Sequence, residues 1–192
     1  MLKIFHIIPF ICLCIFPVAG AEVSSEVAAA GFIEKLVNDA LGIVNHSGMS
    51  EDEKRKGLSE CVNKDLDIDR ITQAVFAPLG YKDLSDEDKE KVKEFMKKYL
   101  VDFYAGEGKL SAMVNAKLSG KLVAAPKEKD FSVKTNFKKD SSSVEIVWIT
   151  DGQRVYYVEI AGFNQITTLR SEMKSAVGTG TLMEYINKRS AK

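Results

Sequence analysis

The chain has 192 residues, 45% hydrophobic and 28% charged, with 27 Lys+Arg against 27 Asp+Glu, 13 Gly, 4 Pro, 3 Cys and 2 His. It is too apolar for disorder and too poor in Gly and Pro for a fibrous protein, and its length suits one domain whose core needs no staples. Zero formal net charge argues against nucleic acid as a partner, because phosphate contacts need a basic surplus.

At the N-terminus, Lys3 is followed by Ile4 to Val18 without an Asp, Glu, Lys or Arg, and then by Ala19-Gly20-Ala21. One basic residue, an apolar stretch of about 15 residues and small residues at the cleavage positions make a secretory signal peptide over residues 1–21. The stretch is short of the ~20 residues a membrane anchor needs. Cleavage after Ala21 leaves residues 22–192 as a single exported domain with 26 basic and 27 acidic residues, only Lys3 having been lost. Cys12 and Cys14 leave too, so Cys61 is the sole thiol and no internal disulfide is expected. His46 is the one remaining His, which excludes a multi-His metal site. It sits in the turn Asn45-His46-Ser47-Gly48 and reads as a solvated turn residue rather than a catalytic partner of Cys61.

The first half is helical in period. Ile33, Leu36, Val37, Ala40, Leu41 and Val44 form one stripe of an amphipathic helix. Ser50-Glu51-Asp52-Glu53 is a capping box that starts a second helix running towards Val62. Asp69 is expected to cap a short segment with Ile71, Ala74, Val75 and Phe76, stopped by Pro78 and Gly80. Ser85-Asp86-Glu87-Asp88 caps the clearest helix, whose stripe is Val92, Phe95, Met96, Tyr99, Leu100 and Phe103. Gly106 or Gly108 is expected to end it.

The period then changes to that of strands. Phe131–Phe137 alternates weakly, and Val144–Thr150 and Gln153–Ile160 read as strong strands joined by Asp151-Gly152, a hairpin turn signal. The Lys127–Lys129 and Lys138–Ser143 stretches read as loops. After Gly162 the helical period returns through Ile166, Leu169 and Met173. Thr181-Leu182-Met183-Glu184 caps a last helix, with Gly178-Thr179-Gly180 as the turn before it. Helices, then an antiparallel sheet, then closing helices predict an α+β domain.

A two-residue Asp151-Gly152 turn puts Thr150 opposite Gln153, Trp148 opposite Val155, Ile146 opposite Tyr157 and Val144 opposite Glu159. The other face then pairs Ile149 with Arg154, Val147 with Tyr156 and Glu145 with Val158. In that register both faces are largely apolar. The sheet is therefore covered by helices on both sides, or one side lines an apolar cavity. Glu145 and Glu159 fall on opposite faces and cannot act as a catalytic pair.

No catalytic constellation is recognisable: there is no H-E-x-x-H, no paired Cys motif and no G-x-S-x-G elbow, and Gly120-Lys121 is not a phosphate loop. The acidic runs Glu51–Glu53 and Asp86–Asp88 lie in first helical turns, where they complement the dipole. The chain reads as a non-enzyme that needs no cofactor and no metal. What it offers instead is a wide apolar surface. Either Phe95, Tyr99, Phe103, Trp148, Tyr156 and Tyr157 pack together as core, or helices and sheet leave a slot between them for acyl chains.

Three stretches carry a family likeness. They are Asp67-Ile68-Asp69-Arg70-Ile71 with Ala74-Val75-Phe76; Leu84-Ser85-Asp86-Glu87-Asp88 leading to Phe95-Met96-Lys97-Lys98-Tyr99-Leu100 and Tyr104; and Gly162 to Met173 directly after the final strand. Together they resemble the MlaC, or toluene-tolerance, family of periplasmic phospholipid-binding proteins over most of residues 30–188. The resemblance implies a periplasmic shuttle that holds phospholipid tails between a curved sheet and helices. It also implies exchange with an inner-membrane ABC transporter complex and an outer-membrane lipoprotein, both of the Mla type, in support of outer-membrane lipid asymmetry. Gln153, Tyr157 and Asn164 stand where the family pattern has an aromatic residue, an Asp and a Ser. Arg170 matches the family's Arg and has two readings, a structural arginine or a headgroup or partner contact.

The reading is a phospholipid carrier whose slot is lined by Val92, Phe95, Tyr99, Phe103, Val147, Ile149, Tyr156 and Val158. An exported interaction module without a ligand is the alternative.

Overall fold

A computed structural model describes residues 25–105 and 115–190. The expected signal peptide, Gly106 and Gly108 lie outside the described residues.

Each helix starts where a side chain can satisfy its orphan amides. Helix α1 (Ser25–Asn45) buries Ala29, Ile33, Leu36, Val37, Leu41 and Val44, the stripe expected from the sequence with Ala29 added and Ala40 only half-buried. Helix α2 (Glu51–Asp65) opens on the Ser50–Glu53 capping box, with Glu53 N donating to Ser50 Oγ at 3.3 Å and Ser50 N to Glu53 Oε2 at 2.7 Å. Helix α3 (Ile68–Phe76) is capped by Asp67, not Asp69. The Asp67 amide donates to Val155 O at 2.8 Å, pinning the chain there, so its carboxylate is the one in place to accept from Arg70 N. Two 3₁₀ turns, Ala77–Leu79 and Tyr81–Asp83, are separated by Gly80 at φ +80°. Helix α4 (Asp86–Ala105) follows, with Ser85 Oγ accepting from Asp88 N.

The sheet is a five-stranded antiparallel meander in sequence order: β1 (Lys117–Lys127), β2 (Asp130–Lys139), β3 (Ser142–Thr150), β4 (Val155–Ile160) and β5 (Phe163–Asn164). The two stretches expected as loops are tight hairpin turns set into long strands, with Glu128 at φ +58° and Asp140 at φ +52°. Strand β1 has no counterpart in the sequence reading. Gly120, Pro126 and a register irregularity between Ser119 and Val123 interrupt its alternation, which an edge strand tolerates. Helices α5 (Gln165–Val177) and α6 (Leu182–Ser190) close the fold, capped by Asn164 and by a Thr181–Glu184 capping box. The domain is α+β, as expected.

Two apolar clusters hold these elements. Ala29, Ile33, Leu36, Val37 and Leu41 of α1 pack with Val133 and Val155 against one face of the sheet. A larger cluster joins α2 to α6 through residues such as Val62, Val75, Phe76, Met96, Leu169 and Ile186. Leu66, bridged in parallel to Val155, touches both. Helix α1 lies on β1 and β2, whereas α3 and α5 meet β4.

Candidate functional site

The sheet sorts its side chains more cleanly than the sequence register implies. Between β3 and β4 the observed pairs are Ile146–Ile160, Val147–Glu159, Trp148–Val158 and Ile149–Tyr157, with a bulge before Thr150–Val155. This register is displaced by three residues from the one expected, which reverses the faces. The cause is the loop. Asp151 and Gly152 do not make a two-residue turn, because the Asp151 carboxylate accepts from the amides of Gln153 (2.8 Å) and Arg154 (2.7 Å). Thr150 Oγ1 accepts from Gly152 N and donates to Arg154 O. These bonds stabilise a four-residue loop, and β4 starts only at Val155.

The face turned to α1 carries Leu118 and Ala124 of β1, Phe131, Val133, Thr135 and Phe137 of β2, Val144, Ile146 and Trp148 of β3, and Val158 and Ile160 of β4. Its polar atoms are spent internally. Trp148 Nε1 donates to Thr135 Oγ1 at 2.8 Å, and Thr135 Oγ1 donates to Ile146 O at 3.2 Å. The indole therefore presents only hydrocarbon. Val133 and Val155 are fully buried under α1. Phe137, Ile146, Trp148, Val158 and Ile160 are half-buried, because α1 covers the β1–β2 side of the face more than the β3–β4 side. The result is an apolar wall with one flank covered.

The far face carries Lys134, Asn136 and Lys138 of β2 and Glu145 of β3, with Lys134 Nζ 3.7 Å from Glu145. Glu145 and Glu159 share this face, contrary to expectation, since Glu159 lies opposite Val147. They serve different partners, Glu145 the ammonium of Lys134 and Glu159 the hydroxyl of Tyr157. The expectation of two largely apolar faces gives way to one apolar and one mostly polar face, the usual alternation of an antiparallel sheet.

The expected slot residues divide among four places. Val92, Phe95, Tyr99 and Phe103 do come together on α4, but within the helical cluster. The Phe95 ring lies 6.4 Å from Phe76 and 5.8 Å from Tyr185, and Tyr99 donates to Glu172 at 2.7 Å. Burial and that carboxylate push the Tyr99 phenol well above its ordinary value. Val147 and Ile149 lie on the far face, and of the eight only Val158 lies on the α1-facing wall. Tyr156 occupies the bulge and belongs to a polar lock. Its hydroxyl donates to Asp130 at 2.8 Å, its ring lies 3.4 Å under the Arg70 guanidinium, and Arg70 donates to the same Asp130 oxygen at 3.3 Å. Burial, then the Asp130 bond, push Tyr156 up to about 12. Burial would raise Asp130, yet the bonds from Tyr156 and Arg70 hold it below its ordinary value.

Leu118, Phe137, Ile146 and Trp148, which the sequence reading did not select, are what the wall adds. The signal for them was the alternation Lys134-x-Asn136-x-Lys138 together with Glu145 and Glu159: one polar face requires all five on the same side. Arg170 resolves as a structural arginine, its Nε and Nη2 donating to Ala74 O at 3.2 and 2.7 Å, near the C-terminal end of α3.

A separate cleft of about 520 Å³ lies between α1 and α2, lined by residues that include Gly42, His46, Cys61 and Asp65. His46 Nδ1 accepts the Gly48 amide within its own exposed turn, and burial pushes the Cys61 thiol up, away from a nucleophilic thiolate. Among the described residues no helix is long and apolar enough to cross a membrane.

Comparison with known proteins fits this geometry. The fold is similar to that of a solved structure described as the phospholipid-binding protein from Ralstonia solanacearum in complex with a phospholipid. The match has a TM-score of 0.67 at 18% identity and covers 85% of this chain and 97% of that one. At that identity the likeness is one of fold. No curated protein sequence matches the chain. The model of the MlaC family, described as MlaC protein, matches residues 34–188, which is most of the chain, and the chain belongs to the MlaC family.

Proposed function

We propose that this protein is a phospholipid carrier of the periplasm, a single domain of residues 22–192 freed from a signal peptide, that moves lipid between the outer and inner membranes without chemistry. The observation that carries the reading is the α1-facing wall, apolar from Leu118 to Val158 and half-buried along β3 and β4. Acyl chains suit such a wall. Each methylene removed from water contributes about 0.8 kcal/mol, so seating even half a dozen gives several kcal/mol with no polar contact. Membership of the MlaC family supports the reading, as does the fold shared with a protein solved with a phospholipid bound. Exchange partners of the Mla type, an inner-membrane ABC transporter complex and an outer-membrane lipoprotein, belong to the same proposal, as does the maintenance of outer-membrane lipid asymmetry.

Of the residues expected to line the slot, we place Val158 in the wall, joined by Ile146 and Trp148. Val92, Phe95, Tyr99 and Phe103 serve as the helical frame, and Tyr156 as part of the lock to α3. The test is native mass spectrometry with lipid extraction on protein purified from a bacterial periplasm. Wild type is expected to carry a mass excess that extracts as phospholipid. Val158→Asp is expected to lose it, and Val147→Asp, on the opposite face, to keep it. A wild-type protein that stays free of lipid after incubation with vesicles favours an interaction module instead.

A further inference from the structure

Phe163 is 71% exposed, more than any other large apolar side chain among the described residues. It is not loosely held. A two-residue turn precedes it, with Ala161 at φ +50° and Gly162 at φ +82°. Its carbonyl accepts from Gln165 Nε2 at 3.0 Å, and Asn164 caps α5 through the Thr167 amide at 3.1 Å. Three constraints thus keep an aromatic ring in water on an edge strand, where it gains nothing from burial.

The register shows where that ring belongs. It lies in the row Thr135–Ile146–Ile160–Phe163, so it extends the α1-facing wall to the edge of the sheet. Val144, 37% exposed, lies on the same face at the same end. One residue beyond the Leu118–Phe137–Val144 row, Lys117 stands directly opposite Lys138. Both are exposed, and neither has a carboxylate partner among the described residues. Like charges directly across two strands destabilise the pair, and an anionic surface relieves that repulsion. The two lysines project from the far face at this same end of the sheet, and strand spacing and rise put them roughly 15–20 Å from Phe163.

We propose that this end of the sheet docks on an anionic phospholipid bilayer, with Phe163 entering the headgroup–acyl boundary while Lys117 and Lys138 meet headgroup charge. The inference rests on the carrier reading, for which an apolar wall that reaches the bilayer gives an acyl chain a continuous path. One ring and one valine fall far short of the ~800 Å² per partner that a stable protein interface buries. They do suit the weak, reversible contact that one apolar anchor and two cations make with a charged bilayer.

The test is co-sedimentation of the mature protein with phosphatidylethanolamine/phosphatidylglycerol vesicles and with phosphatidylcholine vesicles, at low and high salt. Lipid content of the same samples is read by native mass spectrometry. Wild type is expected to favour the anionic vesicles, and less so at high salt. Phe163→Ser should cut partitioning about 10-fold or more. Phe163→Trp should restore it, and Lys117→Glu with Lys138→Glu should lower it on anionic vesicles alone. Unchanged partitioning in Phe163→Ser overturns the proposal. So does a concentration-dependent dimer that Phe163→Ser abolishes, since the edge then serves a second copy. Protein that carries lipid but ignores vesicles refutes docking and leaves the carrier reading standing. Protein that docks through Phe163 but never holds lipid refutes the carrier reading and leaves docking standing.

Discussion

Asp130 shows how one carboxylate ties three elements together. It lies at the start of β2, takes hydrogen bonds from Tyr156 of β4 and Arg70 of α3, and is 8% exposed. Replacing it by Asn keeps the shape but removes the charge that orients the Arg70 guanidinium. About 1–2 kcal/mol of stability should be lost at neutral pH, the partial exposure of Arg70 keeping the figure low. The sign with pH follows from the depressed carboxyl. Its contribution is present above the ordinary aspartate range near pH 4 and is lost as pH falls through the lower folded value. Denaturant unfolding of wild type and Asp130→Asn should therefore converge in strong acid and separate above about pH 5. At Ala161 the direction reverses. A non-glycine residue at φ +50° in an exposed turn is strained, and Asn adopts that conformation more readily. Ala161→Asn should raise stability by about 0.5–1 kcal/mol, read as an upward shift in Tm of roughly 2–4 °C.

Among the elements, the helices were legible because their signals are local. Capping boxes at Ser50 and Thr181, the Ser85 cap and the stripes on α1 and α4 need only neighbouring residues, and all appear where the sequence puts them. The exception at Asp67 arises because a distant strand, through Val155 O, decides which aspartate can cap α3. The β3–β4 hairpin was legible in existence but not in register. Asp151-Gly152 invites a two-residue turn, but Thr150 and Asp151 together offer side-chain acceptors to three loop amides, and the longer loop is the one they satisfy. The tight two-residue turn falls instead at Ala161-Gly162, where Ala in a left-handed conformation gave no warning. Asp151→Ala should remove two of those acceptor contacts and cost about 0.5–1.5 kcal/mol. Amide exchange should accelerate in Gln153, Arg154 and the adjoining ends of β3 and β4, whereas exchange confined to distant helices would contradict this role for the loop.

At the scale of the whole molecule, the division into two apolar clusters fixes what can serve as a site. Among the described residues, α2 to α6 pack on each other, α3 and α5 meet β4, and α1 lies along β1 and β2. That arrangement draws the aromatic ladder of α4 into the helical core and leaves the α1-facing wall as the apolar surface with an uncovered flank. A sequence stripe cannot distinguish these outcomes, because Phe95 and Tyr99 have the same period whether they face a lipid or Tyr185. The wall itself depended on a register shift that one loop controls. Trp148 provides a direct probe, since it is the only tryptophan in the chain and lies in the middle of the wall opposite Val133 and Val158. The most direct measurement is Trp148 fluorescence in protein loaded with phospholipid brominated along its acyl chains, with loading verified by mass. The account predicts strong quenching relative to the same protein loaded with unbrominated lipid. Unquenched emission from a protein that demonstrably holds the brominated lipid would place the acyl chains elsewhere and contradict it.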